Sequence, residues 1–241
     1  MLQHTILIPQ INYAYFCPLK IKGMAHKAVL AGATGLIGSE LLKILLAEPD
    51  YSEVLVVARK STGVSHSKLS ELIIDFDKLD DHANAISGHA IFSCLGTTLN
   101  KTPDKNLYRK IDHDYPVKLA QLAAQNGVEQ YHLVSSIGAN SNASNYYTRF
   151  KGETEEDVKA SGVKSVHIYQ PSLITGDRKE FRLMEKILVG LSVVINPLLV
   201  GSLKKYRSIA AKTIAQAMFN QSIKNSEGIF VYPSDKIKEL A

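Results

Sequence analysis

Lys27-Ala-Val-Leu-Ala31 runs straight into Gly32-Ala-Thr-Gly35-Leu-Ile-Gly38, and a helix-period stretch, Ile37 to Ala47, continues until Pro49 stops it. The short apolar run before the glycines reads as a buried strand, while Ile37, Leu41, Ile44 and Leu45 recur at helical spacing. Glycines between a strand and a helix permit positive φ, let backbone approach a phosphate closely, and allow tight helix-to-strand packing. The first N–H groups and the dipole of a helix beginning near Leu36 favour an anion at the same place. The spacing is G-x-x-G-x-x-G rather than G-x-G-x-x-G, so the triplet by itself is a weak sign; its position between strand and helix makes it a strong one. The expectation is a dinucleotide held by its pyrophosphate, with Gly32, Thr34, Gly35, Leu36 and Ile37 as contacts.

Outward from this turn, strand-like runs at 28–31, 54–58, 72–76, 90–95, 131–135 and 165–170, and a late one at 228–232, alternate with helical segments. That alternation is the mark of βαβ units and a parallel sheet. Val54-Leu-Val-Val-Ala58 is apolar at every position, as a strand covered on both faces should be. Tyr115 to Gln125 reads as a helix that Gly127 ends. The predicted fold is α/β, a Rossmann-type doubly wound parallel sheet spanning 27–241 as one domain, with a small substrate-side region at about 172–205. Residues 1–26 are expected to lie outside it as an N-terminal extension. That segment has no trusted period, no basic n-region and no small-residue cleavage site, and Met24 stands just before the first strand; a targeting or membrane-touching role is the alternative. The apolar run Ile187–Leu203 is interrupted by Asn196-Pro197, which argues against a spanning helix. It reads as a substrate-side lid or buried helix, with peripheral membrane contact beside Lys204 and Lys205 as the second reading.

Cofactor choice should be written at the end of the second strand. An enzyme that takes NAD(H) usually carries an Asp or Glu there for the ribose hydroxyls. This chain has Arg59-Lys60-Ser61 instead, two cations and a hydroxyl that suit a 2′-phosphate. NADP(H) is therefore expected, NAD(H) less so. Asp75, near the end of the third strand, is the kind of residue that meets the adenine edge. Leu95 and Gly96 leave the fourth strand beside Thr97 and Thr98, at the edge where open α/β sheets bind ligands.

Bulk composition narrows the field. Of 241 residues, 45% are apolar and 21% charged, which supports a sizeable core and excludes a disordered chain. The net charge of +5 is mild and suits small anionic ligands. Lys and Arg are spread along the chain with no arm-like run, so nucleic acid is not expected as a partner. Cys17 and Cys94 stand far apart in unlike contexts, giving neither a disulfide framework nor a zinc site and pointing to a reducing, cytoplasmic setting. Cys94 reads as an inert buried thiol in an apolar strand. His113, His132 and His167 lack metal-ligand spacing and read as structural, so no metal is expected. Arg178, Glu180 and Arg182 read as a surface network sooner than as a site for an acidic substrate.

Tyr147 and Lys151, spaced i, i+4, share one helical face. An ammonium beside a phenol stabilises the phenolate, and such a Tyr can pass a proton to or from a carbonyl or alcohol oxygen. Ser136, at the end of the fifth strand, could hydrogen-bond that oxygen. Tyr232 and Lys236 repeat the spacing with Pro233 between them and read as a surface coincidence.

Gly32-Ala-Thr-Gly-Leu-Ile-Gly38, Ser135-Ser136 and Tyr147-Thr-Arg-Phe-Lys151-Gly together resemble the short-chain dehydrogenase/reductase superfamily. More narrowly, the chain is similar to its atypical branch of Tat-interacting-protein-like oxidoreductases. Phe92-Ser-Cys-Leu-Gly-Thr-Thr98, Lys151-Gly-Glu153, Gln170-Pro-Ser-Leu173 and Gly176-Asp-Arg178-Lys-Glu180-Phe-Arg182 support the likeness, which runs from about Lys27 to Ser222. The resemblance implies Ser136, Tyr147 and Lys151 as a catalytic trio. It further implies that Lys151 holds the nicotinamide ribose, that Pro171 lies beside the nicotinamide, and that NADP(H) is held by the glycine loop and Arg59. Gln170 departs from the pattern, which has Arg before the Pro. The expected activity is an NADP(H)-dependent oxidoreductase acting on a small carbonyl or alcohol substrate. The alternatives are an epimerase that returns the hydride to its product, and a redox-sensing or interaction protein that binds NADP(H) without turnover.

Overall fold

The Lys27–Ala31 run forms most of β1 (His26–Ala31), which leads through the glycine turn into α1 (Leu36–Ala47). The computed structural model describes residues 26–176, 199–224 and 226–241. The N-terminal extension with Cys17, the Arg178, Glu180 and Arg182 group, and most of the apolar run at 187–203 lie outside the described residues. Among the described residues no helix is long and apolar enough to cross a membrane.

The remaining elements follow in sequence: β2 (Tyr51–Ala58), β3 (Leu69–Ile73), β4 (Ala90–Ser93), α2 (Lys105–Arg109), α3 (Tyr115–Gln125) and β5 (Gln130–Val134). Then come α4 (Tyr146–Lys159), β6 (Ser165–Gln170), β7 (Ile174–Thr175), β8 (Ile209–Ala210), α5 (Ala211–Ser222), β9 (Gly228–Pro233) and α6 (Ser234–Leu240). Seven strands make one sheet in the order β3-β2-β1-β4-β5-β6-β9, and every neighbouring pair is parallel. The architecture is the expected Rossmann-type one. Alternate residues of each strand feed two cores. Leu30, Val56 and Phe92 pack against Leu41 and Leu45 of α1 and Ile214 and Met218 of α5. On the other face Val29, Val57, Ile91 and Ile168 meet Leu119 and Ala123 of α3 and Val158 of α4.

One local expectation shifts. The third strand lies at Leu69–Ile73, not 72–76, because the chain leaves the sheet edge early. Ile74 and Phe76 turn into the core, and the Asp75 carboxylate accepts the Asp77 N–H at 3.1 Å to cap a 3₁₀ segment, Phe76–Ala85. Separately, Ile174–Thr175 pairs with Ile209–Ala210 as a two-stranded sheet.

Of the histidines read as structural, His132 and His167 sit inside the sheet, while His113 lies in the turn Lys110–Asp114 between Asp114 and Asp157. Phe92, His132, His167 and Phe230 are register partners on four adjacent strands. Their rings stack in a row with centroids 4.7, 4.5 and 4.9 Å apart. Burying an imidazole requires partners for both nitrogens. His132 has Tyr169 Oη at 3.1 Å and Gln130 Oε1 at 3.1 Å; His167 has Ser165 Oγ at 2.9 Å and Tyr232 Oη at 3.0 Å.

Burial, with Lys224 adding to it, depresses His167 from 6.5 to about 4. Burial also holds His132 well below its ordinary value, helped by the neighbouring His167 and His89. The unfolded chain therefore binds more protons than the folded one below about pH 6.5, and stability falls as pH drops from there toward 4. The expected outcome is a melting temperature that declines over that window, with a shallower decline in His167→Asn; an unchanged slope in the variant would remove this histidine from the account.

Candidate functional site

The candidate residues stand on segments that leave the carboxyl ends of the strands, or on the helix behind them, around the point where the strand order reverses between β1 and β4. Two backbone turns meet there. Gly32 has φ +86°, and a Cβ on it would lie 2.5 Å from the Cys94 carbonyl oxygen. A Cβ on Gly38 would lie 2.1 Å from the Gly32 carbonyl oxygen. Side chains at either position would force α1 off the sheet. Gly35 opens α1 with no side-chain cap, and the first turn carries no acid, so its N–H groups and dipole suit a pyrophosphate. Thr34 is exposed beside them. Ile37 is buried in the core, which leaves only its main chain for a ligand, and Leu36 packs toward Gly176.

At the end of β2, Arg59 and Lys60 are exposed, and neither has an ion-pair partner among the described residues. Asp75 lies just beyond β3 as the cap of the 3₁₀ segment. Past β4, Cys94 continues the ladder through its N–H to Ala31; it follows the strand instead of lying within it, and burial pushes its thiol up to about 12. Leu95 packs on the α3 side, and Gly96 is exposed.

The structure adds a residue the sequence reading missed. A Cβ on Gly96 would sit 3.5 Å from Asp112 Oδ1 and 3.9 Å from Lys151 Nζ. These two buried side chains form an ion pair at 2.9 Å. The other Asp112 oxygen accepts the Thr97 N–H at 2.7 Å, and the Thr97 hydroxyl lies 2.9 Å from that of Thr102. Burial works to lower Lys151, but Asp112, with Tyr147 and Glu155, outweighs it and holds the ammonium above its ordinary range.

Asp112 belongs to a single π turn, Lys110–Asp114, between α2 and α3. Its cause is Pro116, which has no N–H for the carbonyl four residues back. That carbonyl, on Asp112, instead accepts the Thr154 hydroxyl of α4 at 3.0 Å. A proline four residues after an acid, inside a helical period, was the available signal.

The loop that begins at Ser136 is joined by its backbone to α4, which carries Tyr147 and Lys151. Ser136, just past β5, is buried, and its hydroxyl has no partner among the described residues. Its loop is tied to both neighbours: Ile137 N–H donates to Pro171 O at 2.9 Å, and Asn140 N–H to Thr148 O on α4 at 2.9 Å. Pro171 is thus brought beside the Ser136 loop. Asn145 caps α4 through Tyr147 N–H at 2.9 Å. One turn on, Lys151 is buried, while Tyr147 stays 39% exposed.

Ser135 Oγ and the Gln170 amide both donate to the buried Glu155 carboxylate, at 2.5 Å and at 2.9 and 3.0 Å. Gln170 therefore anchors β6 to α4. Tyr108 of α2 is also buried with an unpartnered hydroxyl. Burial, then the charges of Asp112 and Tyr147, push its phenol up. The second spacing match is no pair: Tyr232 bonds to His167, and Lys236 pairs with Glu239 at 2.8 Å. Tyr232 is half-buried and packs against the core from the edge strand β9, a correction to its reading as a surface residue.

Residues 32–221 match the family model described as NAD(P)H-binding. The chain belongs to that family. Protein HTATIP2 of Rattus norvegicus is 34% identical over 164 residues, covering 66% of this chain and 67% of that protein. The protein named "fmp52, mitochondrial" of Aspergillus niger is 32% identical over 221 residues, covering 89% and 94%. These relatives and the fold place the chain in the atypical short-chain dehydrogenase/reductase branch. Among solved structures, the Bordetella bronchiseptica enzyme WbmG in complex with NAD superposes with a TM-score of 0.64 at 16% identity, covering 92% of this chain and 77% of that one. The UDP-glucose 4-epimerase of Thermotoga maritima with UDP-glucose gives 0.62 at 15%, covering 88% and 80%. At these identities the likeness is one of fold.

The ion pair gives a direct test. Removing one member of a buried pair strands the other charge and costs about 3–5 kcal/mol, whereas replacing both by apolar residues is often neutral. Asp112→Leu is expected to lower the denaturation free energy by that order, and Asp112→Leu with Lys151→Met to recover most of it. Additive losses in the double variant would show that the two side chains do not act as a pair.

Proposed function

We propose that this chain is an NADP(H)-dependent oxidoreductase that interconverts a small carbonyl compound and its alcohol. The observation that carries the reading is the buried, unpartnered Ser136 hydroxyl beside the α4 helix that carries Tyr147 one turn from the Lys151–Asp112 pair. Leaving a hydroxyl buried and unpaired costs about 1–3 kcal/mol, a cost that a substrate oxygen would remove.

The residues present fit the cofactor. The uncapped N-terminus of α1 suits the pyrophosphate, Arg59 and Lys60 suit a 2′-phosphate, Asp75 suits the adenine edge, and Gly96, Lys151 and Pro171 would hold the nicotinamide and its ribose. When bound, NADP(H) supplies or accepts the hydride. In the reducing direction Ser136 donates a hydrogen bond to the substrate oxygen, and Tyr147 gives that oxygen its proton. Lys151, one helical turn on, stabilises the negative charge then left on Tyr147. Asp112 keeps the ammonium protonated and fixed in place, and its Thr97 contact ties the pair to the loop after β4. Oxidation runs the same steps backward.

Tyr147→Phe removes one hydroxyl and keeps the ring. Turnover of any active member of an aldehyde, ketone and quinone panel is expected to fall about 10²- to 10⁴-fold, with NADPH affinity nearly unchanged. Lys151→Ala is expected to weaken both. Unchanged turnover in Tyr147→Phe would refute the proton role, and tight NADPH binding with no turnover across the panel would favour a sensor.

A further inference from the structure

The loop that carries Arg59 and Lys60 is built around a carboxylate. Glu71, on the edge strand β3, takes Ser61 Oγ–H on Oε2 at 2.6 Å and the Thr62 backbone N–H on Oε1 at 2.7 Å. The Thr62 hydroxyl also donates to Oε1. Those hydroxyls bind the loop in turn: Gly63 N–H donates to Ser61 Oγ at 3.1 Å, and Val64 N–H to Thr62 Oγ1 at 3.2 Å. Gly63 supplies the positive φ, +72°, that lets the chain curl round the acid. Ser61 first, then the Thr62 hydroxyl and N–H, hold the Glu71 carboxyl below its usual range.

A carboxylate bound to the two residues that follow Lys60 is a natural candidate to pair with the neighbouring cations. Here three donors from the loop occupy both of its oxygens, and neither Arg59 nor Lys60 is ion-paired among the described residues. We propose that Glu71 is a positioning residue for cofactor choice: it fixes loop 59–64 so that both cations stay uncompensated and directed at a 2′-phosphate. This rests on the NADP(H) reading above.

The sign of the effect separates this role from plain electrostatics. If Glu71 acted only as a negative charge near the phosphate, its removal would tighten NADPH binding. As a clamp, its removal frees the loop and weakens NADPH binding while sparing NADH, which lacks the phosphate.

The test is the ratio of NADH to NADPH dissociation constants, measured by titration of the full chain. Glu71→Ala is expected to lower the ratio about 3- to 10-fold, the effect of losing about one net hydrogen bond. Glu71→Gln, which keeps an acceptor for Thr62, should lose less. Ser61→Ala with Thr62→Val should also lower the ratio, by freeing Glu71 to pair with Arg59. A ratio unchanged or raised in Glu71→Ala, with the unmodified protein still preferring NADPH and the variant still folded by melting, overturns the clamp alone. Equal affinities in the unmodified protein overturn the cofactor reading and the clamp together.

Discussion

The close backbone contact among Gly32, Gly38 and Cys94 sets the geometry of everything around it. With no Cβ on either glycine, α1 sits against the end of β1 and the turn after β4 sits against the turn after β1. That contact brings the N-terminus of α1 and the Cys94–Thr97 segment to one side of the sheet. Any side chain there would separate the N-terminus of α1 from the loop that reaches Lys151. The strand order adds the second requirement, because the reversal between β1 and β4 opens the crevice that the turns border.

From that crevice the polar groups form a connected set. Thr97 meets Asp112, Asp112 meets Lys151, and Thr154 of α4 meets the Asp112 carbonyl that Pro116 leaves without a helical donor. The helix distortion and the ion pair are thus one feature: the π turn that relieves the proline also carries the buried acid to the ammonium. A buried pair gives little net stability over an apolar substitute. Its presence one turn from an exposed tyrosine accords with a role in holding charge at one point.

The far side of the sheet shows the same economy of polar groups. His132 and His167 are stacked between Phe92 and Phe230 with both ring nitrogens partnered. They form part of the core and lie apart from the trio. Three histidines without ligand spacing are a sequence pattern, and their register on adjacent parallel strands is what makes two of them neighbours.

The sequence by itself determined the layered architecture. Hydrophobic period and glycine placement are local signals, and they located all seven main-sheet strands within three residues of their starts, with α1 and α3. They also pointed to the glycine turn, to Arg59-Lys60, and to Ser136, Tyr147 and Lys151, because each follows a strand end or shares a helical face. Only the tertiary structure decided which partners those residues have. Asp112 lies 39 positions before Lys151 in the chain, and no local period links an acid in one helix to a lysine in another. Glu71 was silent for the same reason, since its role comes from a loop folding back over an edge strand. The end of β3 was misplaced because an apolar triplet, Leu72-Ile-Ile74, looks alike whether it continues a strand or turns into the core, and the Asp75 cap that ends it is a contact made only when the chain has folded.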